Sequence, residues 1–272
     1  MRFVTYDAGD GPQAGALGEG GGIHPLGPGG VGALLRGSGL PDAAPSGEAS
    51  LALDAVRLLP PVPDPSKIVC MGLNYRDHAA EAGLDPPETP TFFAKFANAL
   101  APAGGDVELP GYSSKVDYEA EVAFVIGRRC KDVPESDALG AIAGYMLLND
   151  LSARDYQFMT PQWLPGKVFD GSAPCGPALV TPDEAGPHDA IEISLTLNGD
   201  TMQSASTADM IHAIPALVAY LSKLMTLEPG DVVSTGTPAG VGSVREPRVW
   251  LKPGDHVVVE SPTLGRLETR LT

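Results

Sequence analysis

Glu119 and Glu121 flank a single residue at the head of Ala120-Glu121-Val122-Ala123-Phe124-Val125-Ile126. β-Branched and aromatic residues crowd this run and Gly127 ends it, so it reads as a strand. Side chains alternate along a strand, which puts the two carboxylates on one face, about 6–7 Å apart along the backbone. Such a pair repels itself, and a hard cation between the two removes the repulsion through oxygen ligands. Asp150 ends a second apolar run, Ala143 to Leu148, where a buried strand would deliver a third carboxylate. On spacing alone, a solvent-facing strand edge carrying two Glu remains open as the bland alternative.

A second candidate lies in Gly72-Leu73-Asn74-Tyr75-Arg76-Asp77-His78-Ala79-Ala80-Glu81. His78 and Glu81 are three residues apart and share a face if this piece is helical. A carboxylate beside an imidazole orients the ring and raises its basicity, the arrangement needed to take a proton from water. The alternative is a solvated surface pair, worth little. Three further segments carry polar residues at spacings that mean little alone. They are Asn149 to Gln157 with Arg154, Gly166 to Asp170 with Lys167, and Ser234 to Gly242 with Thr237. The last is no phosphate loop, because no lysine follows its glycines.

The elements that must position these residues are mostly strands. Lys67 to Met71, Thr91 to Phe96, Glu119 to Ile126, Ala141 to Leu148, Ala178 to Val180, Ile191 to Leu197 and Asp231 to Thr235 have strand character. His256 to Glu260 and Arg266 to Leu271 read as a terminal hairpin. Tyr75 to Ala82 reads as a short helix. Ala208 to Met225 has helical spacing, with Pro215 marking a kink or the start of a second helix. Many strands without regular βαβ alternation predict an α+β, mostly β, roll. Glycine crowds the first 50 residues, and Pro60-Pro61-Val62-Pro63-Asp64-Pro65 reads as a stiff linker. Residues 1–60 are therefore expected to form a small β-rich, Gly-rich lobe, and 61–272 the catalytic body.

Composition narrows the partners. The 272 residues carry a formal net charge of −16, which argues against nucleic acid or an anionic membrane as a partner. Cys70, Cys130 and Cys175 lie far apart. Their spacing excludes a cysteine zinc site, argues against a disulfide framework, and fits a cytoplasmic location. No signal-type apolar run opens the chain, and no stretch is long enough to span a membrane. His24, His188, His212 and His256 have no partners at ligand spacing and are read as structural. Lys95 could face the cleft but carries no assigned role.

Five motifs in order carry a resemblance. G-L-N-Y-R-D-H-A-A-E, D-Y-E-A-E-V-A-F-V-I-G, N-D-L-S-A-R-D-Y-Q, G-K-V-F-D and S-T-G-T-P-A-G-V-G together resemble the fumarylacetoacetate hydrolase family, from Lys67 to the C-terminus. The resemblance implies a mixed β-sandwich roll, a homodimer and one bound Mg²⁺ or Mn²⁺. It implies that Glu119, Glu121 and Asp150 hold the metal, and that His78 and Glu81 activate water on a segment ordered as a lid. It also implies that Lys167, Arg154, Gln157 and Thr237 surround a small 2-oxo or 2,4-dioxo acid. The expected activity is C–C bond hydrolysis of an acylpyruvate or fumarylpyruvate, with Lys167 stabilising charge or returning a proton. Decarboxylation of oxaloacetate and enol–keto isomerisation of a 2-oxo acid are alternatives on the same site. A non-catalytic, metal-stabilised binding protein is a further alternative.

Overall fold

The computed structural model describes residues 1–18, 20–43, 45 and 49–272. The strand Ala120–Ile126 lies near its centre, with every residue buried. It pairs antiparallel with Ile142–Asn149 on one side and with Val232–Ser234 on the other. A strand covered on both faces needs apolar side chains on both, which the unbroken run Val122 to Ile126 supplies.

From this centre the main sheet extends in both directions. Val232–Ser234 runs parallel to Ile68–Gly72, and Thr91–Lys95 forms the edge beyond it. On the other side Ile142–Asn149 pairs with Ala173–Val180, which pairs in turn with Arg2–Asp7. Pro12–Leu17 and Gly22–Pro28 continue the ladder. Residues 1–60 thus share a sheet with the body.

A second sheet contains Asp200–Ser206, Glu192–Leu197, His256–Ser261, Gly265–Leu271 and Asp106–Val107. Its Ile193, Leu195, Val257, Val259 and Leu267 bury against Val122, Phe124, Ile126 and Leu147. The helix Ile214–Leu224 adds Leu217, Val218 and Leu221 to the same core. The opposite face of the main sheet carries Phe3, Cys70, Ala123, Val125, Met146 and Leu148, which pack in one cluster with Val31 and Leu35. Each large aliphatic side chain buried this way contributes about 1.5–3 kcal/mol. The architecture is the expected mostly β sandwich roll.

Several elements differ from expectation. The stretch 208–225 is a short turn, Thr207–Asp209, capped by Ser206, followed by the helix Ile214–Leu224 with Pro215 in its first turn. Proline has no N–H to lose there, so it starts the helix rather than kinking one. The strand expected at Ala178 to Val180 begins at Ala173, despite Pro174 and Pro177. Strand Asp200–Ser206 was unanticipated, yet Asn198-Gly199 marks the hairpin that produces it, with φ of 54° and 92°. The helix Gly30–Arg36 was also unanticipated. Thr5 anchors it, accepting from the Val31 amide at 2.9 Å and donating to the Pro61 carbonyl at 2.7 Å. Pro60, Pro61 and Val62 are buried, so this segment is packed in place rather than acting as a spacer.

Candidate active site

The carboxylates meet at the ends of two paired strands. Ala120 faces Asn149 in the ladder, and the Asp150 amide donates to the Glu119 carbonyl at 2.9 Å. Glu121 projects on the same face as Ala123 and Val125. Ligand oxygens of Glu119, Glu121 and Asp150 lie within 4.8 Å of one another, and all three residues are buried. Burial overturns the reading of a solvent-facing strand edge.

Cations surround two of the three. Lys167 Nζ lies 2.6 Å from Glu119 Oε2 and 2.8 Å from Asp150 Oδ2. It follows the short turn Leu164–Gly166. Gly166 is required there, because a Cβ would come within 2.5 Å of the Ala153 carbonyl oxygen. Arg154 Nη2 reaches Glu119 Oε1 at 2.7 Å, Nε donates to Asp117 Oδ2 at 2.9 Å, and Nη1 donates to Gln157 at 2.9 Å. Burial alone would raise the Glu119 carboxyl, but Arg154 and Lys167 outweigh it and hold the group far below the usual carboxylate range. Asp150 and Glu119 likewise overcome burial and raise the Lys167 ammonium.

Glu121 is different. Ser234 Oγ and the Gly236 amide donate to its Oε2. Among the described residues no lysine or arginine pairs with it. Burial, then the charges of Asp150 and Glu119, push its carboxyl well above the usual range. Four carboxylates, with Asp117, face three cations, Lys95, Lys167 and Arg154. A buried carboxylate without a counter-charge, in an all-oxygen cluster, fits a hard divalent cation such as Mg²⁺ or Mn²⁺.

The helix Arg76–Glu81 brings its pair to the same place. His78 Nδ1 lies 2.7 Å from Glu81 Oε1, and the Gly240 amide donates to Glu81 Oε2 at 2.9 Å. Both side chains are mostly buried, so this is not a solvated surface pair. The carboxylate is fixed by the backbone and in turn fixes the ring.

These groups enclose a cavity of about 180 Å³. His78, Glu119, Glu121, Arg154, Gln157, Lys167 and Thr237 line it, with Phe93, Trp163, Leu84 and Phe158 among the apolar walls. Asp150 and Glu81 touch the lining residues from behind. Thr237 Oγ1 donates to the Ala120 carbonyl at 3.0 Å and accepts from Gln203 at 2.9 Å. Three of the five Arg154 N–H groups are committed to Asp117, Glu119 and Gln157.

Other contributors carry no role assigned from the sequence. Asp117 heads the strand motif and accepts from the Gly242 and Ser243 amides as well as Arg154. Phe93 lies 4.8 Å beneath Lys167 Nζ, and Trp163 packs edge-on against Phe93 at 5.9 Å. Lys95 is fully buried beside Asp150. The signal available in the sequence is the strand reading of Thr91 to Phe96, which puts Phe93 and Lys95 on one face. His212 is half-buried and its Nε2 lies 3.0 Å from the Pro87 carbonyl, far in role from a ligand.

Fold and site together define a protein of two large sheets with a buried acidic triad beside a hydrogen-bonded His–Glu pair. The model of the fumarylacetoacetate (FAA) hydrolase C-terminal family matches residues 67–272. The chain belongs to the fumarylacetoacetate hydrolase family. It is 43% identical over 227 residues to an oxaloacetate tautomerase (fahd2, mitochondrial) of Xenopus laevis, covering 83% of this chain and 71% of that protein. It superposes on the fumarylacetoacetate hydrolase of psychrophilic Exiguobacterium antarcticum with a TM-score of 0.84 at 30% identity, covering 100% and 99% of the two chains. It also superposes on 5-carboxymethyl-2-hydroxymuconate delta-isomerase from Mycobacterium smegmatis with a TM-score of 0.81 at 34% identity, covering 100% and 98%.

Proposed function

We propose that this chain interconverts the keto and enol forms of a small 2-oxo acid, with oxaloacetate the first candidate. One observation carries the reading: His78 lines one small cavity with Glu119 and Glu121, and Glu81 and Asp150 back them directly. Similarity to a relative named oxaloacetate tautomerase and to a structure named as an isomerase supports it. A cavity of about 180 Å³ suits a substrate of a few carbons.

Glu119, Glu121 and Asp150 would hold the cation. A bound Mg²⁺ or Mn²⁺ would draw electron density from the substrate carbonyl and so acidify the neighbouring carbon. His78 performs the transfer. With Nδ1–H donated to Glu81, its Nε2 takes a proton from C3 to leave the enolate, whose oxygen gains its proton from solvent, and both transfers run backward in ketonisation. Lys167 holds a fixed positive charge at the cavity, where oxygen becomes negative. Arg154, Gln157 and Thr237 bound the substrate on the polar side, and Phe93 and Trp163 keep water from the other.

Hydrolysis of a C–C bond is the second reading. The same pair would then deprotonate water, and likeness to a structure named fumarylacetoacetate hydrolase favours it. A panel of enol oxaloacetate, keto oxaloacetate and acetylpyruvate, each with and without chelator, separates the readings. Tautomerisation predicts metal-dependent loss of enol absorbance without CO₂ release. Consumption of acetylpyruvate alone supports hydrolysis, and CO₂ from oxaloacetate supports decarboxylation.

A further inference from the structure

Lys95 has its side chain wholly enclosed and does not line the cavity. Alternation along Thr91–Lys95 turns Phe93 and Lys95 inward while Phe92 and Ala94 face out. Its Nζ lies 2.7 Å from Asp150 Oδ1, off the line of a hydrogen bond. The same Nζ donates to the Lys167 backbone carbonyl and, at 3.0 Å, to Ser172 Oγ. Ser172 Oγ also donates to the Lys167 carbonyl at 2.9 Å. The two oxygens of Asp150 are thereby held by two different ammonium groups, Oδ1 by Lys95 and Oδ2 by Lys167.

Enclosing an ammonium is costly unless its partners are fixed around it. Here one such group fixes both the plane of the Asp150 carboxylate and the backbone that carries Lys167. We infer that Lys95 is a positioning residue for the cation site, setting Asp150 and Lys167 relative to Glu119 and Glu121. This rests on the cation-site reading above. It differs from a purely electrostatic role in sign. If Lys95 only added positive charge, its loss would tighten binding of a nearby cation. If it positions Asp150, its loss loosens binding.

The test is the Mn²⁺ affinity of Lys95→Met and Ser172→Ala, measured by electron paramagnetic resonance of free Mn²⁺. Circular dichroism and the thermal midpoint of the chelated proteins serve as folding controls. Lys95→Met is expected to weaken Mn²⁺ binding by about 10- to 100-fold, the usual effect of removing a group that orients a metal ligand. Ser172→Ala is expected to weaken it severalfold in the same direction. A folded Lys95→Met protein with unchanged or tighter Mn²⁺ binding overturns the inference. If Lys95→Met does not fold, Ser172→Ala decides, and unchanged affinity there overturns it. If the unsubstituted protein does not bind Mn²⁺, the cation-site reading falls and this inference with it.

Discussion

The Asp150 amide donates to the Glu119 carbonyl across 2.9 Å, and this one bond brings the third carboxylate to the first two. It continues the register in which Ala120 faces Asn149 and Glu121 faces Leu148. A slip of one residue would turn Asp150 to the opposite face and dismantle the cluster. The apolar pattern on both faces of Ala120–Ile126 guards that register, so packing 15 to 20 Å of strand away from the site defines its geometry at roughly 3.4 Å per residue.

Glu121→Gln should separate metal binding from stability. The native carboxyl is pushed up by burial and by two neighbouring carboxylates, so its charged form opposes folding when no cation is bound. In chelated protein the substitution should raise the thermal midpoint by roughly 2–4 °C. That gain should vanish well below about pH 4, where the carboxyl is protonated folded or unfolded, and grow as the pH rises. Mn²⁺ affinity should fall at least about tenfold. Calorimetric scans from acid to neutral pH, with a Mn²⁺ titration, check both.

The oriented pair should matter to proton transfer and not to the cation. His78→Asn is expected to lower kcat by about 10²- to 10⁴-fold with Mn²⁺ affinity unchanged. Glu81→Gln should cost less, because an amide can still accept from His78 Nδ1. Steady-state kinetics alongside Mn²⁺ binding distinguishes this from general damage to the site.

Arg154 ties Asp117, Glu119 and Gln157 together through separate nitrogens. Arg154→Met leaves two buried carboxylates short of a partner and should destabilise the fold by about 3–5 kcal/mol. Arg154→Lys keeps the charge but loses the planar fork, so it should recover only part of that. Urea unfolding of both variants measures the difference.

Gly72 faces the Trp163 ring so closely that an added Cβ would lie 2.3 Å from it. Gly72→Ala should displace Trp163 from the apolar wall it builds with Phe93, at about 1–3 kcal/mol of overpacking. The expected outcome is a higher KM and a shifted tryptophan emission, with Mn²⁺ affinity retained.

Much of this was legible in the residues themselves. The E-x-E spacing, the strand that carries it and Asp150 at the end of the next strand could be read because period-2 burial and strand ends are local properties. The His78–Glu81 pair was legible for the same reason, since three residues fix its separation on a helix. What anchors each group was not. Gly240 holds Glu81 across 159 positions, and Ser234 holds Glu121 across 113. Such contacts depend on tertiary packing that a local pattern does not encode. The Gly30–Arg36 helix was hidden by glycines that discount helix propensity, and Thr5 with the buried Pro61 supplies what propensity lacks. Lys95 could be placed toward the cleft, but the alternation that turns it inward gives no hint of Asp150 beneath it.

On the proposed reading, a cation held by Glu119, Glu121 and Asp150 lets His78 move a proton on a small 2-oxo acid. Its most direct measurement is the decay of enol oxaloacetate absorbance, followed by stopped flow with Mg²⁺ or Mn²⁺ and corrected for the metal-only rate. The protein is expected to accelerate ketonisation, chelator to abolish the acceleration, and Glu121→Gln and His78→Asn each to lose it. Decay at the metal-only rate in the presence of the folded, Mn²⁺-binding protein would contradict it.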